Sequence, residues 1–398
     1  MAQQQKNEIT KMNEPRSPAD QANPEGKVDF SALLKFMVAN KGSDMFITSG
    51  FPPAIKINGQ LQVVSKNPLS AEASKNLVIN VMTPSQKEEF ERTHECNFAI
   101  GVSGLGRFRV SAFFQRNSVG MVVRRIETKI PTLEELRLPE IVRHLAMTKR
   151  GIIIFVGGTG TGKSTSLAAM IGYRNQNASG HIITIEDPIE FVHPHGKCVV
   201  TQREVGIDTE SWDVALKNTL RQAPDVIMIG EVRTRETMEH AIAFAETGHL
   251  VLCTLHANNA NQALDRIINF FPEERKQQLL MDLSLNLKGV VAQQLLPTLG
   301  GKGRRAALEI MLGTPLIQDF IREGELHRIK EIMKESGNLG MQTFDQALFN
   351  LFQAGEITYE DALRHADSEN EVRLRIKLAQ GGPASTLSQG LDGVELSK

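Results

Sequence analysis

Gly157-Gly158-Thr159-Gly160-Thr161-Gly162-Lys163-Ser164 carries the G-x-x-x-x-G-K-[ST] spacing of a phosphate-binding loop. Its glycines let successive backbone N–H groups curl round a β-phosphate, and a helix start adds positive potential. Lys163 offers a compact charge between β- and γ-phosphates, and the Ser164 hydroxyl offers Mg²⁺ an oxygen. Thr165 follows directly and joins the expected nucleotide contacts. ATP and Mg²⁺ are therefore the expected ligands.

A second signal is Asp225-Val226-Ile227-Met228-Ile229-Gly230-Glu231. Four apolar residues make a buried strand, and Glu231 falls just past its end, on the edge where open α/β sheets bind ligands. Such a carboxylate could orient or deprotonate an attacking water; alone, it could equally be a surface glutamate. Glu186, Asp187 and Glu190 crowd beyond another strand. They suggest a second acidic contribution around Mg²⁺, although Pro188 could explain a bare turn there. His249 and His256 flank the run Leu250 to Thr254. Across a strand they lie about 20 Å apart, too far to share an ion. His256 could sense a γ-phosphate or be structural; His249 reads more as a structural or intersubunit contact. Arg107, Arg109, Arg124 and Arg125 sit on strand-like runs. They are either solvated or a source of positive charge for a transition state, for which the second domain offers few candidates besides Arg221.

These residues need elements to hold them. Apolar runs at 151–156, 181–185, 225–229 and 250–254 alternate with helical stretches at 164–176 and 211–220. That alternation predicts a parallel sheet covered on both faces. From about Gln262 the pattern reads as mostly helical, with helix starts at Thr343 and Thr358. Ahead of it, residues 28–130 read as a small α+β domain. It has a helix at Phe30–Val38 and short strands at 45–48, 54–57, 61–64, 97–100, 106–114 and 120–126. Asn58-Gly59 gives a hairpin signal and Thr83 a capped helix start. Residues 131–148 read as a linker with a helix at Thr132. Residues 1–27 and 379–398 are polar and predicted disordered.

Composition narrows the class. The chain has 398 residues, 41% hydrophobic and 23% charged, with net charge −1. A near-neutral balance, one tryptophan and two tyrosines argue against a nucleic-acid motor. Three isolated cysteines give neither a zinc pattern nor a disulfide framework and fit a reducing cytosol. No run reaches the roughly 18 apolar residues of a membrane helix, and the N-terminus has no signal-peptide core.

Together the motifs resemble the PilT/PilU retraction ATPases of type IV pili, within the secretion ATPase superfamily. The resemblance runs from about Val28 to Leu378. It rests on the phosphate loop, on Glu186 to Glu190 as an Asp box, and on Asp225 to Arg233 as Walker B. Thr247 to Asn258 match a His box, and Gly340 to Asp345 a C-terminal signature. GGTGTGKST, SLAAMIGYRNQN and the extended C-terminal region lean toward the PilU branch. Gly158 stands where PilT commonly has Pro, a position that contributes only backbone.

The resemblance implies a PAS-like domain, a RecA-like ATPase domain and a homo-hexameric ring. It implies ATP between the domains with Arg109 and Arg124 facing it, Glu231 as catalytic glutamate and Glu190 as the functional Asp-box carboxylate. It also implies a PilT-like partner motor and an inner-membrane platform protein, membrane contact only through that partner, a cytoplasmic location and no nucleic acid. The main competitor is an assembly ATPase, whose relatives often carry a tetracysteine zinc insert. A nucleotide-gated adaptor with little turnover is disfavoured by Lys163 and Glu231.

Overall fold

The structure, a computed structural model, describes residues 29–57, 59–126, 129–301 and 303–379. The expected terminal extensions lie outside the described residues, apart from Ala379, which ends a helix. The chain divides into two compact units between Thr128 and Lys129.

The first unit holds one antiparallel sheet in the order β3-β2-β1-β6-β5-β4. Its strands are β1 (Asp44–Ile47), β2 (Ala54–Ile57), β3 (Gln60–Val63), β4 (Glu95–Val102), β5 (Gly106–Gln115) and β6 (Ser118–Arg125). Helices Phe30–Ala39, Ala71–Ile79 and Pro84–Thr93 complete its core, with Leu33, Leu34, Val78 and Phe90 buried among strand residues. Thr83 makes the expected reciprocal capping box with Gln86. Of the predicted hairpin turn, Asn58 lies outside the described residues; Gly59 has φ 82°, and Ile57 pairs with Gln60.

The second unit is built on a seven-stranded sheet in the order β13-β12-β7-β11-β10-β8-β9. The strands are β7 (Gly151–Val156), β8 (Gly180–Glu186), β9 (Cys198–Glu204), β10 (Val226–Ile229), β11 (Leu250–Leu255), β12 (Leu287–Pro297) and β13 (Arg304–Leu312). All neighbours pair parallel except β12 with β13. Every residue of β7, β10 and β11 is buried, as expected when helices cover both faces. This is a RecA-like α/β core followed by a helical C-terminal region.

The stretch after Gln262 is mostly helical, as expected, but it also holds an unforeseen hairpin of β12 and β13 that extends the sheet. One expectation needs correction: Thr132 does not start a helix. Thr132 and Glu135 cap each other reciprocally, but the turn stops where Arg137 takes φ 50° and Pro139 follows. Leu133, Val142 and Leu145 from this stretch pack into the core beside Phe155 and Leu167.

β13 also carries Glu309, 2% exposed, whose Oε1 accepts the Ala260 N–H at 2.8 Å. Burial pushes its carboxyl from 4.5 to about 7, the Ala260 bond opposing and the Asp367 charge adding to the rise. Between those two pH values the folded chain keeps a proton that the unfolded chain has lost. Stability therefore falls as pH rises from about 4.5 through about 7. Glu309→Gln keeps the acceptor for Ala260 and removes the titration. Its melting temperature should exceed that of the native chain at about pH 8 and match it at about pH 5. Equal differences at both pH values in a thermal scan would refute the assignment.

Candidate active site

Parallel register brings four strand ends to one edge of the second sheet. Val156 pairs with Leu255 on β11, and Ile229 on β10 pairs with both Cys253 and Ile185. The phosphate loop, Glu186, Glu231 and His256 therefore leave the sheet side by side. They line a cleft of about 490 Å³ together with Thr159, Gly160, Gly162, Lys163, Ser164, Thr165, Asp187 and Glu190.

The loop needs glycine for steric reasons at two positions. Gly157 has φ 153°, and a Cβ there would lie 2.6 Å from the Gln293 carbonyl oxygen. Gly162 has φ 87°, and its Cβ would lie 2.7 Å from Gln293 Nε2. Gly158 meets nothing closer than 3.9 Å, so a side chain is tolerated there. Gln293, on β12 and 2% exposed, is a residue that motif reading missed. It accepts the Ser166 hydroxyl at 2.8 Å and donates to the Thr161 carbonyl at 2.9 Å, pinning the loop to the sheet. Helix Lys163–Asn177 begins inside the loop, so its first N–H groups face the cleft.

Lys163 is 9% exposed, and its ammonium donates to the carbonyls of Gly157 and Gly158, each at 2.8 Å. Burial lowers its pKa, while Glu231 and Glu190 pull the other way. Two carboxylates therefore share the field of one ammonium.

The acidic box does not behave as one cluster. Glu190 accepts the Ser164 hydroxyl at 3.0 Å. Asp187 is exposed at the rim. Glu186, expected beside them as a metal ligand, is 7% exposed, and its Oε1 accepts bonds from Thr184 at 2.6 Å and Gln202 at 3.1 Å. Burial raises its pKa to about 7 against those bonds. Its burial and its bonds to Thr184 and Gln202, and not its identity, set it apart from Glu190.

Glu231 sits past β10, with Arg233 at 2.7 Å and His256 Nε2 at 3.2 Å. Burial raises its pKa, but the Arg233 hydrogen bond and the His256, Arg233 and Lys163 charges outweigh it and leave the group lowered. Glu231 is an ionised carboxylate at neutral pH. Gly230 N–H donates to the Ile185 carbonyl, and the Thr254 hydroxyl to the Gly230 carbonyl, which fixes the turn that aims it. His249 sits at the other end of β11, its ring against Thr247 and the Phe244 carbonyl. The two histidines thus serve separate edges.

Arg109 and Arg124 lie in the first unit, directly opposite each other on β5 and β6. Asp44, opposite Arg124 on β1, pairs with its guanidinium at 2.7 Å. Among the described residues there is no group of three or more His, Cys, Asp or Glu side chains fit to hold a metal by themselves. Ser164 and Glu190 could supply two oxygens to a cation and would leave most of its coordination sphere to phosphate and water, the arrangement Mg²⁺ prefers.

A family model described as "Type II/IV secretion system protein" matches residues 27–337. The chain is 66% identical to "Type IV pilus ATPase PilU" of Pseudomonas aeruginosa, covering 93% of this chain and 97% of that one. It is 42% identical to "Type IV pilus retractation ATPase PilT" of the same organism, covering 85% and 98%. Its fold matches the crystal structure of the pilus retraction motor PilT with bound ADP at a TM-score of 0.81 and 41% identity. That match covers 86% of this chain and 98% of the other. With the phosphate loop, Walker B glutamate and His-box histidine gathered at one sheet edge, the chain belongs to the type II/IV secretion system protein family and, within it, to the PilT/PilU-type pilus ATPases.

Proposed function

We propose that this chain is the ATP-hydrolysing subunit of a ring motor for type IV pilus retraction, working as a PilU-type accessory to a PilT-like motor. The observation that carries this is the convergence of Lys163, Ser164–Glu190 and Glu231 around one cleft. In the mechanism, loop N–H groups and Lys163 bind the β- and γ-phosphates, the ammonium exchanging its two loop carbonyls for phosphate oxygens. Ser164, Glu190 and Asp187 would hold Mg²⁺. Bound Mg²⁺ would offset charge on the phosphate oxygens as the terminal bond breaks. Glu231 accepts a hydrogen bond from the attacking water and aligns it, while Arg233 and His256 fix the carboxylate. Arg109 and Arg124 are read, on the strength of their motif positions, as extra positive charge for the nucleotide. The functional boundaries are read as 28–130 for the PAS-like domain, 131–148 for the connector and 149–378 for the ATPase domain.

The motor would assemble as a homo-hexamer and pass its motion to an inner-membrane platform protein from the cytoplasmic side. No helix among the described residues is long and apolar enough to cross a membrane, which fits attachment through a partner. Gene deletion tests the reading. Loss should leave cells piliated or hyperpiliated with impaired twitching, most clearly where the PilT-like partner is limiting. Cells that lose their pili would make the protein an assembly motor instead.

A further inference from the structure

Glu190 is an exposed glutamate on a loop, yet it is held against Ser164. An unrestrained glutamate loses rotamer freedom worth about 1–2 kcal/mol on being fixed. Something must therefore set the loop first. Backbone pairing of β8 with β9 ends at Glu186 opposite Glu204, before the loop begins. The restraint comes from side chains: Glu204 Oε2 on β9 accepts the Ile189 N–H at 3.4 Å just before Glu190, and Gln202 on β9 holds the loop just after it. Gln202 Nε2 donates to the Phe191 carbonyl at 2.9 Å and to Glu186 Oε1 at 3.1 Å, and Gln202 Oε1 accepts the His193 N–H at 2.7 Å. The amide orientation is chemically forced, since flipping it would set its oxygen against two other oxygens.

From this bracket we infer that Gln202 is a positioning residue for the metal side of the site, fixing the loop so that Glu190 stays opposite Ser164. The inference rests on the proposed role of Ser164 and Glu190 toward Mg²⁺. One amide grips the loop one residue past Glu190 and again three past it. The same amide ties that loop to the buried carboxylate at the strand end. Removing it leaves the backbone ladder and the Ile189–Glu204 bond intact and releases the loop only on the far side of Glu190. The consequence falls on metal response and spares both fold and metal-free nucleotide binding, which depends on the loop at 157–164.

Trp212 is the chain's only tryptophan and lines the cleft, so its emission reports binding independently of turnover. The full-length protein, saturated with ADP, is titrated with Mg²⁺ while that emission is followed. Gln202→Met keeps the volume and removes every bond; Gln202→Asn keeps an amide too short to reach the loop. Losing one to two hydrogen bonds at about 1 kcal/mol each should raise the half-saturating Mg²⁺ concentration by about five- to thirtyfold in both variants. ADP affinity in chelator and the melting temperature should stay near native. Glu190→Gln, run alongside, should show a comparable shift.

An unchanged Mg²⁺ response in the Gln202 variants with a shifted one in Glu190→Gln would overturn the inference alone. An unchanged response in Glu190→Gln would overturn the underlying metal reading, and the inference with it. A parallel loss of metal-free ADP binding would mean that Gln202 merely supports the fold. Should the Met variant not fold, the Asn variant decides.

Discussion

Glu231→Gln should bind ATP with near-native affinity and hydrolyse it at a rate reduced by about 10²-fold or more, the usual contribution of a positioned acid–base group. The substitution keeps the side-chain volume and a carbonyl oxygen that can still accept from Arg233. What it removes is the negative charge that, in the proposed mechanism, aligns water and receives its proton as the terminal phosphate leaves. Nucleotide affinity should hold, since the proposed mechanism binds the phosphates through loop N–H groups and Lys163, and it could improve, because the proposal places a negative charge near the γ-phosphate that the substitution removes. The pairing with Arg233 and His256 sharpens this expectation. Those partners hold its carboxyl below the usual carboxylate range, so in the proposed mechanism the native group orients water more than it pulls on its proton. Loss of kcat with unchanged KM in steady-state assays would be the signature of an interaction made only in the transition state. Turnover near native in the Gln variant would remove Glu231 from the mechanism.

Much of this site can be read from the chain because its parts are local. Eight consecutive residues specify the phosphate loop, and the runs 151–156, 226–229 and 250–255 are apolar because both faces are buried. Glu231 and His256 could then be placed by counting past strand ends. The β12–β13 hairpin could not. Ala306-Ala307-Leu308-Glu309-Ile310-Met311-Leu312 is rich in strong helix formers, and β12 is interrupted by Gln293 and Gln294. Pairing with β7 overrides those propensities, and nothing local announces such a partner. Gln293 and Gln202 were hidden for the same reason. The first reaches Ser166 across 127 residues, and a lone glutamine in a strand carries no motif. The different settings of Glu186 and Glu190 were invisible as well, because only burial separates two identical side chains four positions apart.

Lys163→Ala acts earlier in the cycle, on binding itself. The ammonium is 9% exposed and bonded to two loop carbonyls, so the chain already bears the cost of desolvating it and holds it poised for phosphate. Charge-assisted hydrogen bonds contribute about 1.5–3 kcal/mol each, which predicts a loss of about 10- to 100-fold in ATP affinity on truncation. Hydrolysis should fall further, because the lost charge also stabilises the oxygens that gain charge as the terminal bond breaks. Fold stability should change little, since the loop remains tied through Gln293 to Ser166 and Thr161. Lys163→Arg separates charge from shape. Its guanidinium keeps the charge but is a planar fork, where the site is built around a compact ammonium. Arg should therefore recover part of the affinity and little of the rate. A Lys163→Ala chain that bound ATP as tightly as the native one in equilibrium titration would mean that backbone amides alone hold the phosphates. An Arg variant with full activity would show that charge at this position suffices without the geometry.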